Sequence, residues 1–382
     1  MRIAILDTYN PVVDFKDAGQ IIEGLKDLGI DAFFISLNNP NLEAHKPSFK
    51  VISGNLVDIN FWKEVDVDIV LFISRLSPHY TEILKTIKNS GKKVIVKADS
   101  DGTIGYPLLP NYLRILKINR NPIRWVLSNI KWRLPIGYFV KRKLKQIELA
   151  DAVIFETPAA LNNAINILYF WHYDNLIKKL FFIPDPVSDD IINIDLNSSK
   201  NNTIISIGRW EDEGCKNTMA MLNVVRDFLK IHREYQYIII GSGKNKVLSF
   251  IKTLPLEISS RIIIKGSINH GQIPQLLSKS KIFFAPSNLE SFNIAAAEAL
   301  CMGCSVVGTP LENFKYLTAN GFSGLITEDF KESSFFNALI KDSKKWEDNQ
   351  YNQSEIADFW RKKLNRKRVA QEILNVCKKI SE

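Results

Sequence analysis

Cysteine is scarce. Four Cys in 382 residues, unevenly spread, give no disulfide framework, so a reducing compartment is expected. Cys301-Met-Gly-Cys304 has CxxC spacing, but no second pair lies near it, and packing rather than zinc is the expected use. The five His are scattered without an HxxxH-type pair. Neither GxSxG nor a P-loop Lys-Ser/Thr occurs, which removes the core element of a serine hydrolase or a P-loop NTPase. Long apolar runs are missing too. The run at residues 67–73 is strand-sized, whereas a bilayer helix needs about 20 residues. The chain opens straight into an apolar strand at 2–6, which leaves no room for a secretory signal, and a cytosolic location is expected.

What is present is ordinary globular composition, 46% hydrophobic and 24% charged, enough for two domains with cores of their own. The formal charge of +9 has one source. Residues 111–147 carry Arg114, Lys117, Arg120, Arg124, Lys131, Arg133, Lys141, Arg142, Lys143 and Lys145 with no acid between them. Without those ten, 40 basic residues stand against 41 acidic ones, so the excess is a local block suited to a phosphate-rich partner.

Short β-branched runs alternate with amphipathic segments. Strands are expected at 2–6, 32–36, 50–53, 68–73, 93–97, 151–156 and 180–184, with helices between them at 18–28 and 80–89. Uninterrupted apolar strands such as DIVLFI imply a parallel sheet covered on both faces. A Pro-, Asp- and Asn-rich stretch follows, after which the alternation restarts with strands at 203–208, 237–241, 261–266, 282–286 and 305–308. Helices are expected at 217–231, 272–278 and 292–302, and the tail from 332 reads as wholly helical. The expectation is two Rossmann-like βαβ domains, 1–186 and 203–355, joined by a linker at 187–202 and facing across a cleft.

Four loops of the second half follow strands and therefore open on one sheet edge. Arg209 and Lys216 bring two cations to the first, and Gly241 and Gly243 allow close backbone approach in the second. The third is Gly266-Ser-Ile-Asn-His270. The fourth, from Pro286, runs into a helix whose start at 292–294 offers free N–H groups to an anion. Together these would hold a diphosphate. Glu290 and Glu298 cannot help there, but carboxylates accept hydrogen bonds from sugar hydroxyls. Taken singly each has a bland rival: a glycine turn is usually only a turn, and a helical glutamate is usually solvated.

Residues 284–309, FAPSNLESFNIAAAEALCMGCSVVGT, resemble the signature of family-4 glycosyltransferases of the GT-B fold, two glutamates separated by seven residues before a small-residue turn and a Val-Val strand. Ile207-Gly-Arg-Trp with Lys216-Asn is similar to the family's Gly-Arg…Lys element, and Ile183-Pro-Asp-Pro-Val187 to the segment that closes its first domain. The resemblance implies transfer of a sugar from a nucleotide-diphosphate donor, most commonly UDP, with retention and with no metal or other cofactor. Carried over by position, Arg209 and Lys216 would grip the diphosphate, Glu290 the donor sugar and Glu298 the ribose. Amides at Asn293 and Ile294 would meet the distal phosphate, with Ser287 and Gly241 in the same donor site. The helix at 356–382 would return to the first domain. There Asp101 or Asp99 stands where the family often has a catalytic His or Asp, with Asx-turn capping as the rival reading. Arg75 and His79 face the expected cleft.

The chain departs from the family in three places. Arg209 and Lys216 stand seven apart instead of about five, and the insert carries Glu211, Asp212 and Glu213, which must point away from the diphosphate. The glycine loop after the first strand is absent, leaving only Gly19 for close approach to the donor. Asn293 stands where the family often has Gly. The basic block alternates cations with Trp125, Trp132, Tyr138 and Phe139, a pattern for an anionic membrane surface, with nucleic acid the less expected partner and a solvated face the plain alternative. The reading is therefore a transferase peripheral on the inner membrane face, acting on a glycan or lipid-linked acceptor in surface polysaccharide synthesis. The competing reading is a catalytically degenerate GT-B protein that binds nucleotide, lipid or polyanion.

Overall fold

Thirteen strands alternate with helices in a computed structural model that describes residues 1–7, 14, 16–36, 49–74, 76–102, 136–196 and 199–382, with the backbone alone at 136–139. Two compact units result: Met1–Ser188 with Asn365–Glu382, and Asp189–Leu364.

The first unit holds strands β1 (Arg2–Asp7), β2 (Asp31–Ser36), β3 (Val51–Ser53), β4 (Ile69–Ser74), β5 (Lys93–Ala98), β6 (Ala152–Phe155) and β7 (Leu180–Phe182). They form one sheet in the order β3-β2-β1-β4-β5-β6-β7, and every pair is parallel. Every residue of β4 is buried. Val70 and Phe72 pack into a core on one face, and Ile69, Leu71 and Ile73 into a second core on the other. Period-2 side chains buried on both sides explain why this strand reads as one continuous apolar run. Helices Asp17–Lys26 and Arg366–Ser381 cover the second face, so close together that a Cβ on Gly24 would crowd the Arg366 carbonyl.

The second unit holds β8 (Asn201–Ile207), β9 (Gln236–Ile240), β10 (Ile262–Gly266), β11 (Ser280–Ala285), β12 (Ser305–Gly308) and β13 (Gly324–Ile326), ordered β10-β9-β8-β11-β12-β13 and again all parallel. Strand order reverses between β8 and β11, so the loops after these two strands splay apart at the edge where α/β sheets take their ligands. β13 was not among the expected strands.

The return of the chain to the first unit begins later than 356. Helix Gln353–Leu364 packs in the second unit, where Trp360 is fully buried with its indole N–H on Ser323 Oγ at 3.0 Å, and Arg361 donates to the Cys301 and Ile194 carbonyls. Asn365 then breaks the helix. Its Oδ1 accepts from the Lys367 and Arg368 amides, capping Arg366–Ser381, and its backbone bridges to Val187. Of the proposed linker, Asp189–Ile192 is a helical turn of the second unit. Cys304 donates its thiol to the Leu277 and Ser280 carbonyls, and Cys301 is buried in its helix.

Candidate functional site

Four of the expected residues meet in the second unit. Glu290 Oε1 accepts from Lys216 Nζ, from Ser287 Oγ at 2.8 Å and from Asn293 Nδ2 at 3.0 Å. The two charged side chains are 16% and 12% exposed, half-withdrawn from water but still reachable. Lys216 comes from the loop after β8 and the other three from the loop after β11, so the cluster sits at the strand-order switch. The adjacent strands do what the loop sequences cannot: they bring together residues 74 apart.

Asn293 shapes the start of helix Ile294–Cys301. Its backbone is left-handed, φ 77°, and its side-chain oxygen accepts from the Ala296 amide at 3.0 Å. Asn tolerates this conformation better than most residues, which explains why Asn can stand where Gly is usual. The amides of Asn293 and Ile294 find no acceptor among the described residues. The Asn293 side chain and the Lys216 ammonium share Glu290 Oε1 as acceptor, which ties this helix start to the cation.

The insert between Arg209 and Lys216 folds into a turn, Glu213–Lys216, whose N-cap is Asp212 accepting from the Cys215 amide at 3.2 Å. Its acids are all engaged. Glu211 accepts from Ser242 Oγ at 2.7 Å, and Glu213 pairs with Lys246 and accepts from the Met219 amide. Asp212 stands 3.8 Å from the Arg209 guanidinium, which is itself 71% exposed and joins no other charge among the described residues. Arg209 therefore lies outside the Glu290 cluster, at the rim of the same edge.

Gly241 and Gly243 are required for a different approach from the one expected. Both have positive φ, 123° and 81°, and a Cβ on them would overlap the Gly208 carbonyl and crowd the Glu211 amide. What comes close is the neighbouring loop, locked further by the Trp210 amide on the Ser242 carbonyl at 3.1 Å and the Trp210 indole on the Ile240 carbonyl at 2.9 Å. These glycines hold the loop after β8 in place.

Glu298 is 4% exposed on the same helix as Ile294. Its Oε1 lies 2.7 Å from His270 Nε2, a residue to which the sequence assigned no role although the loop after β10 was marked. Burial pulls the imidazole pKa down, but the hydrogen bond and charge of Glu298, with Asp190 behind, outweigh it and raise the pKa above the ordinary histidine value.

The first unit holds a charged cluster that sequence reasoning missed. Lys97 Nζ lies 2.5 Å from Glu156 Oε1, 2.5 Å from Asp185 Oδ1 and 3.4 Å from Asp17 Oδ2, with all four side chains buried. Burial lowers the lysine pKa and the three carboxylates raise it, with the carboxylates winning. Burial together with Asp185 pushes Glu156 well above the carboxylate range, and Asp185 itself rises to about 7. The available signal was a lysine inside the apolar strand KVIVKA. Gly19 is buried in helix Asp17–Lys26, two residues from Asp17 of this cluster. Asp101 is exposed, with its carbonyl accepting from Asn163 at 2.9 Å, Asp99 is half-buried, and His79 is exposed in a short 3-10 turn. Arg75 and most of the basic block lie outside the described residues; of the block, Lys141, Arg142, Lys143 and Lys145 lie on helix Ile136–Leu149. Among the described residues no helix is long and apolar enough to cross a membrane.

Residues 187–357 match the family model described as glycosyl transferases group 1. No curated protein matches the chain in sequence. Among solved structures, a sucrose-phosphate synthase from Thermosynechococcus elongatus is similar at TM-score 0.68 and 14% identity, covering 100% of this chain and 99% of that one. Anabaena HepE in complex with UDP matches at 0.67 and 14%, covering 99% and 100%. The lipopolysaccharide outer core galactosyltransferase WaaB in its apo form matches at 0.65 and 16%, covering 99% of each. At such identities the likeness is one of fold, and the fold is GT-B.

Proposed function

We propose, from the group 1 glycosyl transferase match over 187–357 and the side chains gathered at the β8/β11 switch, that this chain transfers a sugar from a nucleotide-diphosphate donor. The transfer is metal-independent, retains configuration at the anomeric carbon and uses UDP as the first candidate nucleotide. The observation that carries the reading is the convergence of Lys216, Ser287 and Asn293 on Glu290 beside the open amides of Asn293 and Ile294. One point there offers positive charge for a diphosphate and a carboxylate for hydroxyls.

In this reading Lys216, the Asn293 and Ile294 amides and the exposed side chain of Arg209 balance the charge that grows on the departing diphosphate. Such preorganised stabilisation is usually the largest catalytic effect. Glu290 accepts from hydroxyls of the donor sugar, and its three existing donors fix where its oxygen lies. Glu298 takes the ribose hydroxyls. No protein nucleophile is needed: the bond from the anomeric carbon to the phosphate oxygen breaks as the acceptor hydroxyl attacks the same face, and its proton passes to the leaving phosphate. The first unit takes the acceptor, with Asp101 its candidate catalytic side chain and Gly19 the candidate for close approach to the donor. A glycan or lipid-linked acceptor and attachment to an anionic membrane through 111–147 rest on the charge of that segment.

The test is thermal melting with UDP, GDP, ADP and their sugars, in magnesium and in EDTA, beside a transfer assay. A ligand at 100 times its Kd adds about 2.7 kcal/mol. One nucleotide should raise the melting temperature equally with and without magnesium, and Glu290→Ala and Arg209→Ala should each cut transfer by about a hundredfold or more. Full transfer in both variants, or no shift with any nucleotide, refutes the assignment.

A further inference from the structure

A carboxylate as deeply buried as Glu298 needs a partner, and its own helix supplies none. Its neighbours Ala296, Ala297, Ala299, Leu300 and Cys301 are apolar and buried. The partner comes from another loop: His270 Nε2, 2.7 Å from Oε1 and 28 residues away in sequence. His270 is in turn placed by Asn269, whose Oδ1 accepts from the Gly271 amide at 3.0 Å and starts the short turn that carries the ring. Among the described residues no donor reaches the second oxygen, Oε2. One oxygen is thus held and the other left to accept.

We propose that His270 is a positioning residue that holds Glu298 so that Oε2 receives the ribose hydroxyls of the donor, making the pair the element that distinguishes a ribonucleotide from its deoxy form. The inference rests on the reading of Glu298 as the ribose ligand. A carboxylate free to rotate about its last side-chain bonds would spend much of its time with neither oxygen aimed at a diol. Anchoring Oε1 removes that freedom before the ligand arrives, and the imidazole N–H keeps the carboxylate from turning inward to satisfy itself. The ring itself touches no nucleotide in this scheme.

Calorimetric titration of UDP, GDP and ADP, each with its 2′,3′-dideoxy counterpart, tests it on the full chain. The nucleotide that binds should do so about tenfold or more better than its dideoxy form, as expected for hydroxyls donating to a charged carboxylate. In His270→Phe that preference should fall to within about threefold. The loss should come from weaker ribonucleotide binding, with dideoxy affinity unchanged. His270→Gln, whose amide can still donate to Oε1, should restore most of the preference. His270→Asn is too short to reach it and should not, while keeping a polar group at the turn if the Phe variant fails to fold. Equal weakening of both forms makes His270 merely structural and overturns the inference. So does an unaltered preference in His270→Phe and His270→Asn, or a wild-type chain that binds both forms alike. A wild-type chain that binds none of the nucleotides overturns the functional reading as well.

Discussion

Replacing Lys97 by Met removes the single cation from a buried cluster of three carboxylates. Asp17, Glu156 and Asp185 have oxygens within 4.8 Å of one another, and what they converge on is the Lys97 ammonium. Breaking a buried ion pair by deleting one partner costs about 3–5 kcal/mol, because the other charge stays buried and uncompensated. Here three partners are left. A domain holds only about 5–15 kcal/mol in total, so Lys97→Met should leave the first unit barely folded at pH 8. Asp185→Asn is the opposite case. The cluster has more negative than positive charge, burial has already raised Asp185 to about 7, and an amide oxygen can still accept from Lys97. Its removal at pH 8 should change stability by about 1 kcal/mol or less, in either direction. Urea unfolding followed by hydrogen exchange in β5 and β6 reads both. At pH 5, where the carboxylates take up protons, the gap between the variants should narrow. If Lys97→Met stays within about 1 kcal/mol of the parent at pH 8, or Asp185→Asn harms it as much, the cluster is not balanced as argued.

Other expectations follow from single sites. Gly241→Ala forces a Cβ into the Gly208 carbonyl at φ 123° and should cost the second unit about 3 kcal/mol in urea, since neither backbone can yield without moving the other loop. Arg209→Ala removes a 71% exposed side chain and should leave the unfolding free energy within about 0.5 kcal/mol, so a fall of about 10²–10³ in transfer rate would report chemistry and not folding. An equally large loss of stability would undo that inference. Asp185 and Asp342 both have folded-state pKa values raised by burial, to about 7 and about 6. Each binds its proton more tightly folded than unfolded, so their contribution is full at low pH and is lost as pH rises towards those values; stability of Lys97-intact protein should decline from about pH 4 to 7 on their account, read from urea midpoints across that range.

Most strands were legible because a parallel strand covered on both faces is an unbroken apolar run, and β4 and β5 fall within a residue of their expected ends. β13 escaped because it is three residues, Gly-Leu-Ile, at the edge of the sheet, too short to show a period. The break at Asn365 escaped for a related reason: Leu364-Asn-Arg-Lys reads as helix by composition, and only the cap bonds reveal the stop. The site divides along the same line. Ser287, Glu290 and Asn293 share one loop, so their meeting could be read from spacing, whereas Lys216 required the parallel-sheet argument that loops after strands share an edge. His270 with Glu298, and Lys97 with its three acids, join separate segments with no local signature. The residues that face each other are set by register: Lys97 pairs with Ile154 across β5 and β6, which puts Glu156 on the same face one step beyond. The insert acids make the converse point. By charge count, Glu211, Asp212 and Glu213 should spoil an anion site, yet Ser242, the Cys215 amide and Lys246 each take one of them. Their charge is directed by hydrogen bonds away from Lys216, so an extra turn of acidic residues leaves the cation at Glu290 in place.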